Sequence, residues 1–260
     1  MPLLPAWVRN LLLPVYERRV IRGLDGLPRP KNVGIMLDGN RRWARAAGHR
    51  DVVEGYRVGG AKVEEFLTWC ADAGVEHVTL FMLSDDNLGR PAEQLGPLLG
   101  IIQDTVAGLA LPGRPWRVHL IGSLDLLPGD LAAAMKQDAA CTTDRHGLRV
   151  DVAVGYGGRR EIVDAVRAAL RHHIAAGGDP ADLADTLDVE HISANLYSDA
   201  SDQADLIIRT SGEQRLSGFL LWQSAYAEMY WVDVYWPAFR RVDLLRALRS
   251  FGQRERRYGR

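Results

Sequence analysis

Val33-Gly34-Ile35-Met36-Leu37-Asp38-Gly39-Asn40-Arg41-Arg42-Trp43-Ala44 changes character at Asp38. Before it lies a short apolar run, Val33 to Leu37, which reads as a buried strand. Asp38-Gly39-Asn40 is an acidic turn, and Arg41 to Ala47 are good helix formers. A strand passing through a glycine turn into a helix start is a recurring anion site. The first helical N–H groups have no partner within the helix and carry the positive end of its dipole. Arg41 and Arg42 add charge there, and Gly39 lets the backbone come close to a ligand. Asp38 would repel a bare phosphate. A Mg²⁺ ion removes that conflict, because Mg²⁺ commonly joins one carboxylate to phosphate oxygens. Taken alone, the stretch fits a surface Asp-Gly hairpin turn equally well.

The surrounding chain favours the first reading. A helix is expected from about Gly55 to Ala73, capped by Gly74. Val75 to Leu83 follows as a β-branched, apolar strand, and Pro91 opens a helix to about Ala110. Strands at Arg117–Ile121, Leu148–Val154, Leu206–Ile208 and Met229–Val234 alternate with helices at Leu131–Cys141, after Gly158 to about Ala175, and Asp243–Arg257. Ala176 to Tyr197 is polar, with one short helix at Val189 to Leu196. Such alternation predicts a single α/β domain with about six mainly parallel strands, covered by helices on both faces. Ligands of such sheets bind at the carboxyl ends of the strands. Asp38, Ser84 to Arg90, Gly155 to Arg159 and Arg209 to Ser217 all fall there, and four polar clusters on one edge make a site.

With 260 residues the chain is long enough for one large α/β domain or two small ones. The formal net charge of -1 gives no argument for nucleic-acid binding. The arginine-rich end, Arg254 to Arg260, reads first as a solvated tail. Cys70 and Cys141 have no framework spacing, which suggests reduced thiols of a cytoplasmic protein. The histidines show no metal-ligand pattern. No segment reaches the ~18 apolar residues that span a bilayer. Met1 to Val15 is apolar, broken by Pro2, Pro5 and Pro14, and lacks a signal-peptide cleavage site. Tyr16 to Leu24 reads as a short basic amphipathic helix. Packing on the body is favoured over peripheral contact with the inner face of a membrane.

Arg209-Thr210-Ser211-Gly212-Glu213-Gln214-Arg215-Leu216-Ser217 follows a strand. Two arginines, two serines and a glycine turn suit a diphosphate, since arginine offers planar, charge-assisted donors. The alternative is a loop salt bridge from Arg209 or Arg215 to Glu213. Arg42 and Arg90 would serve a second anion from the other side, so two phosphorylated substrates are implied. No GxxxxGK[ST] is present, and no GxGxxG follows the first strand, which disfavours Walker-type ATPases and dinucleotide dehydrogenases.

These residues resemble the cis-prenyltransferases, or Z-isoprenyl diphosphate synthases. Asp38 to Ala44 is similar to their first signature, and Ser84-Asp85-Asp86-Asn87-Leu88-Gly89-Arg90-Pro91 to their Ser-x-Glu-Asn-x-x-Arg-Pro segment. Gly155-Tyr156-Gly157-Gly158-Arg159, Asp205 to Gln223, and Ala225-Tyr226-Ala227-Glu228 resemble the rest. The match runs from about Asn32 to Gly259 and is closest to the short-chain actinobacterial members that make (2Z,6E)-farnesyl diphosphate. It implies an N-terminal extension, 1–31, and a catalytic domain, 32–260, with the fold of undecaprenyl diphosphate synthase.

The resemblance further implies a Mg²⁺-dependent condensation of isopentenyl diphosphate with an allylic diphosphate, geranyl diphosphate for a C15 product. Asp38 would hold Mg²⁺ and assist ionisation, with Glu228, which a partner subunit can supply, completing the metal shell. Gly39, Asn40, Arg41, Arg42, Trp43, Tyr56, Ser84, Asp86 and Arg90 would bind the allylic substrate. Arg209, Arg215 and Ser217 would bind isopentenyl diphosphate. Asn87 is a candidate for the proton step, and Met82 for limiting chain length. Arg257-Tyr258-Gly259 looks like the carboxyl-terminal Arg-x-Gly that reaches a dimer-related site, so a homodimer is expected. Departures are Asp86 for the usual Glu, Leu88 for an aromatic residue, and Tyr56 and Gln214 where long-chain members have His. A medium- or long-chain synthase and a non-catalytic partner subunit are the alternatives. Non-catalytic subunits lose the catalytic Asp, which is present here.

Overall fold

The computed structural model describes residues 6–199 and 202–254, with side chains from residue 14 onward. Six strands form one parallel sheet in the order β3-β4-β2-β1-β5-β6. They are β1 (Asn32–Met36), β2 (His77–Ser84), β3 (Arg117–Ile121), β4 (Arg149–Tyr156), β5 (Leu206–Arg209) and β6 (Glu228–Trp231). The helices are α1 (Ala6–Arg22), α2 (Asn40–Ala46), α3 (Val53–Asp72), α4 (Ala92–Ala110), α5 (Gly129–Ala140), α6 (Gly158–Ala175), α7 (Pro180–Thr186), α8 (Val189–Ser193) and α9 (Arg241–Gly252).

Strand side chains alternate between faces, and here each face has its own core. Val33, Ile35, Val78, Leu80, Val150, Val152, Leu206 and Ile208 pack with α3, α4, α5 and α9. Met36, Ala153, Tyr156 and Ile207 pack on the opposite face with Phe219 and Leu220. The chain leaves β1 toward β2 on one side and returns later to β5 on the other. The crevice between β1 and β5 is therefore the topological switch point, where open α/β sheets bind ligands.

Helix α3 turns a stripe of Gly55, Gly59, Val63, Phe66, Leu67 and Cys70 inward. Its two glycines have a steric reason: a Cβ at Gly55 would lie 2.1 Å from the Asn40 carbonyl oxygen, and one at Gly59 2.3 Å from Asn40 Oδ1. Without side chains at these points, α2 comes down directly onto α3.

Several expectations are corrected. Helix α1 runs straight through Pro14, as a longer helix than Tyr16–Leu24. It packs on α9, with Val20 and Leu24 buried. The stretch Ala176–Tyr197 holds a second helix, α7, whose signal was present: Asp179 precedes Pro180 and accepts from the Ala181 N–H at 2.9 Å. Gly155 and Tyr156 continue β4 instead of opening a loop. Residues 255–260, with the tail motif, lie outside the described residues.

Candidate active site

Met36, the last residue of β1, is in register with Arg209, the last of β5. The chain beyond each strand thus enters the same crevice. Asp38 Oδ2 lies 2.8 Å from Arg209 Nη2 and 2.9 Å from Nε. Arg209 is buried, whereas the Asp38 side chain is 39% exposed. Thr210 ties the two turns together. Its Oγ1 accepts from the Asp38 N–H at 2.8 Å, and its hydroxyl faces the carbonyls of Met36 and Asp38 at 3.0 and 2.8 Å.

Asp38 opens onto a cavity of about 400 Å³. Its polar wall is Gly39, Asn40, Arg41, Arg42, Arg45, Ser84, Asn87 and Arg90; Leu37, Phe81, Met82, Leu83 and Leu98 form the apolar wall. A separate, smaller pocket of about 40 Å³ adjoins the cavity across Leu37, Asn40, Tyr56, Met82 and Leu98, and is closed in by Ile101, Ile102 and Trp236. A half-open arginine-lined chamber backed by a tight apolar recess suits a molecule with an anionic head and a short hydrocarbon tail.

The expected residues divide into three groups. Those on the chamber are Asp38, Gly39, Asn40, Arg41, Arg42, Tyr56, Met82, Ser84, Asn87 and Arg90. Arg42 Nη2 donates to Ser211 Oγ at 2.8 Å, Nη1 lies 3.1 Å from Glu213, and its guanidinium sits 5.6 Å from the Tyr235 ring centroid. Arg90 Nη1 donates to the Tyr56 hydroxyl at 3.1 Å. The Asn40 amide donates to the Leu37 carbonyl at 2.8 Å, so this side chain shapes the turn as well as lining the wall. Arg209, Arg215 and Ser217 form a second group behind Asp38. Arg209 Nη1 donates to Ser217 Oγ at 3.1 Å and to the Arg215 carbonyl. Arg215 pairs with Glu213 at 2.5 Å, so the loop salt bridge weighed as an alternative exists for Arg215, while Arg209 turns to Asp38. Arg215's hydrogen bond and charge hold the Glu213 carboxyl below its ordinary range.

The third group is not brought to the chamber. Trp43 stacks on His49, ring centroids 5.3 Å apart, and Asp86 opens the short 3₁₀ turn Asp86–Gly89; neither lines the chamber. Glu228 starts β6 and is in register with Leu206, three residues before the Trp231–Arg209 level. At ~3.3 Å per residue that is about 10 Å toward the opposite sheet edge. It pairs there with Arg254. Within one chain Asp38 and Glu228 are not a joint metal site. Sequence reasoning missed Arg45, one helical turn beyond Arg41 and Arg42, a spacing that could have found it. It also missed Tyr235 and Trp236, which reach the crevice from a distant loop and carried no signal.

Asp38 fits a hard divalent cation. It offers oxygen ligands at a half-exposed position beside an arginine-lined chamber, the setting in which Mg²⁺ bridges a carboxylate to phosphate oxygens. A second carboxylate cluster lies at the amino edge, where the sequence had shown no histidine pattern: His77, Asp151 and Asp202. There Arg149 already pairs with both aspartates, at 3.2 and 2.7 Å. His77 presents Nε2 to Asp151 and Nδ1 to Asp202, at 3.1 and 3.6 Å, whereas a metal would take one nitrogen only. Burial opposes ionisation of Asp151, but its close neighbours His119, His77 and Arg149 outweigh it and hold the carboxyl below its ordinary range. This is a structural ion-pair network.

Comparison with known proteins gives concordant results. The family described as "Putative undecaprenyl diphosphate synthase" matches residues 35–259. The chain is 61% identical to isoprenyl transferase 2 of Streptomyces coelicolor, over 98% of this chain and 99% of that one. It is 54% identical to the (2Z,6E)-farnesyl diphosphate synthase of Thermobifida fusca, over 97% and 98%. It is 48% identical to the short-chain Z-isoprenyl diphosphate synthase of Mycobacterium bovis, over the full length of both. Among solved structures, lavandulyl diphosphate synthase from Lavandula x intermedia in complex with dimethylallyl diphosphate superposes with a TM-score of 0.82 at 30% identity, over 89% of this chain and 99% of that one. With the switch-point crevice, its arginines and Asp38, these matches settle the family: the chain belongs to the cis-prenyltransferases.

Proposed function

We propose that the chain condenses isopentenyl diphosphate with geranyl diphosphate to give (2Z,6E)-farnesyl diphosphate and diphosphate. The observation that carries this reading is the chamber itself: an arginine-lined mouth beside Asp38, backed across Met82 by a recess of only about 40 Å³. The names of the relatives from Thermobifida fusca and Mycobacterium bovis support the short product.

In this reading the allylic diphosphate lies on Arg41, Arg42, Arg45 and Arg90, with its hydrocarbon chain toward Met82. Isopentenyl diphosphate lies on Arg209, Arg215 and Ser217. The allylic C–O bond breaks and its electron pair leaves with the diphosphate. The isopentenyl double bond attacks the allylic carbon, and a proton is lost to form the cis double bond. Asp38 would hold Mg²⁺, which supplies charge neutralisation of the departing diphosphate. The arginines stabilise the same charge and hold the reacting carbons together, so catalysis is positioning and electrostatics. Asn87, on the chamber wall, is the candidate for orienting the group that takes the proton. Residues 1–31 form an N-terminal extension, whose helix α1 packs on α9, and 32–260 the catalytic domain.

We further propose a cytoplasmic homodimer. Val163, Val166, Leu170 and Ile174 recur at helical spacing on α6 and are all partly exposed. Glu228, too far from Asp38 in its own chain, would approach a second copy's site. Among the described residues no helix is long and apolar enough to cross a membrane. Labelled isopentenyl diphosphate offered with C5, C10 and C15 primers tests the function. A C15 product formed fastest from geranyl diphosphate is expected; polyprenyl products, or no turnover, would refute it.

A further inference from the structure

The segment after Arg215 is bent in a way its residues resist. Ser217 and Leu220 both have φ of 46°, with Gly218 between them at 78°. For side-chain-bearing residues this region is strained, and it persists only where the surroundings over-determine it. The bend presents Ser217 Oγ and the Arg215 carbonyl to Arg209. What fixes it lies behind, on β4 and α6. The Gly158 N–H donates to the Gly218 carbonyl at 2.8 Å. The Tyr156 ring packs edge-on against Phe219, centroids 6.2 Å apart, in a buried cluster that includes Leu220. The Tyr156 hydroxyl donates to the Glu161 carboxylate.

Glu161 is fully buried, and none of the described residues forms an ion pair with it. An ionised carboxylate there is strongly disfavoured unless its oxygens are well satisfied. It accepts from Tyr156, from the Tyr197 N–H at 3.0 Å and from Gln223 Nε2 at 3.1 Å. Gln223 belongs to the bent segment and is 1% exposed. One carboxylate thus holds Gln223 directly and, through Tyr156, the ring against which Phe219 packs. Burial pushes the Glu161 carboxyl above its ordinary range, with the three hydrogen bonds opposing it.

We infer that Glu161 is a positioning residue for the Arg209–Ser217 pocket, holding the strained segment through Tyr156 and Gln223. This rests on that pocket being the isopentenyl diphosphate site. Glu161→Gln keeps one acceptor oxygen, so its NH2 must face either Tyr156 or the Tyr197 and Gln223 donors, and the set of three bonds cannot be kept whole. Tyr156→Phe deletes the link while keeping the ring. For both variants we expect the KM for isopentenyl diphosphate to rise by roughly tenfold or more, with kcat and the KM for geranyl diphosphate within about threefold of the wild type. Amide hydrogen exchange should accelerate at 218–223 and stay unchanged in β1 and β2. Equal losses for both substrates, or unchanged exchange at 218–223 in Tyr156→Phe, would overturn the inference. A wild-type chain that leaves isopentenyl diphosphate unconsumed would refute the substrate assignment instead, and exchange at 218–223 would still decide whether Glu161 and Tyr156 hold the bend.

Discussion

Arg209 is buried and spends its donors on Asp38, Ser217 and the Arg215 carbonyl. Removing Asp38 therefore does two things. It deletes the carboxylate beside the chamber, and it strands a buried guanidinium, which is destabilising in its own right. Asp38→Ala should lower turnover by roughly a thousandfold or more. Asp38→Asn, which keeps an acceptor for Arg209, should lower it comparably while melting near the wild type. Near-normal kcat in either folded variant would remove Asp38 from the reaction. Arg209→Ala and Arg215→Ala should raise the KM for isopentenyl diphosphate more than that for the primer, because both lie behind Asp38 and off the chamber wall; an equal loss would argue for one shared anion pocket. At this scale the sequence was readable where a residue sits at a strand end with a charge to show. It was misleading for Trp43, whose ring stacks on His49 away from the chamber. It could not show that Glu213 pairs with Arg42 as well as Arg215, since that contact joins residues 171 positions apart.

Among the elements, β2 departs from the regular alternation read along it. Phe81 pairs with Ala153 and Leu83 with Val154, leaving Met82 as an extra residue, and the register shifts again before Ser84. A bulge re-aims side chains and is common beside active sites. Here it puts both Met82 and Leu83 on the face shared with α3 and α4, so Met82 stands between the arginine-lined chamber and the apolar recess. Hydrophobic spacing located β2 because its residues are mostly apolar; it could not locate the bulge at Met82 or the second shift, where β4 carries the extra residue, Gly155 at φ 61°. The consequence is testable. Met82→Ala should join the recess to the chamber and shift products from geranyl diphosphate beyond C15, since packed interiors accept little extra volume and yield when it is removed. Mass analysis that finds only C15 from an active variant would pass the role to Leu98, Ile101 or Ile102, the other side chains at the constriction.

The fold of the whole molecule was legible because parallel α/β sheets announce themselves: each strand is an apolar run and each crossover a helix. What a single chain leaves incomplete is the distribution of charge around the site. Asp38 and Glu228 sit toward opposite edges of the sheet, and Glu228 is held by Arg254. Meanwhile α6 turns Val163 and Ile174, each 48% exposed, outward along with Val166 and Leu170. A row of partly exposed aliphatic side chains on one helix face is stabilised by burial against another surface at ~25 cal/mol per Å² of apolar area. A second copy offers that surface and repeats it by symmetry. Light scattering should therefore give twice the chain mass at assay concentrations. Val166→Glu with Leu170→Glu should yield a monomer, because charges buried in a contact between apolar faces cost several kcal/mol. Activity should fall with dimer content if Glu228 or the tail serves the neighbouring site. The decisive comparison is activity against protein concentration for wild type and double variant: a monomer with full specific activity would sink the shared-site reading, while loss of activity that is restored at concentrations where dimer re-forms would support it.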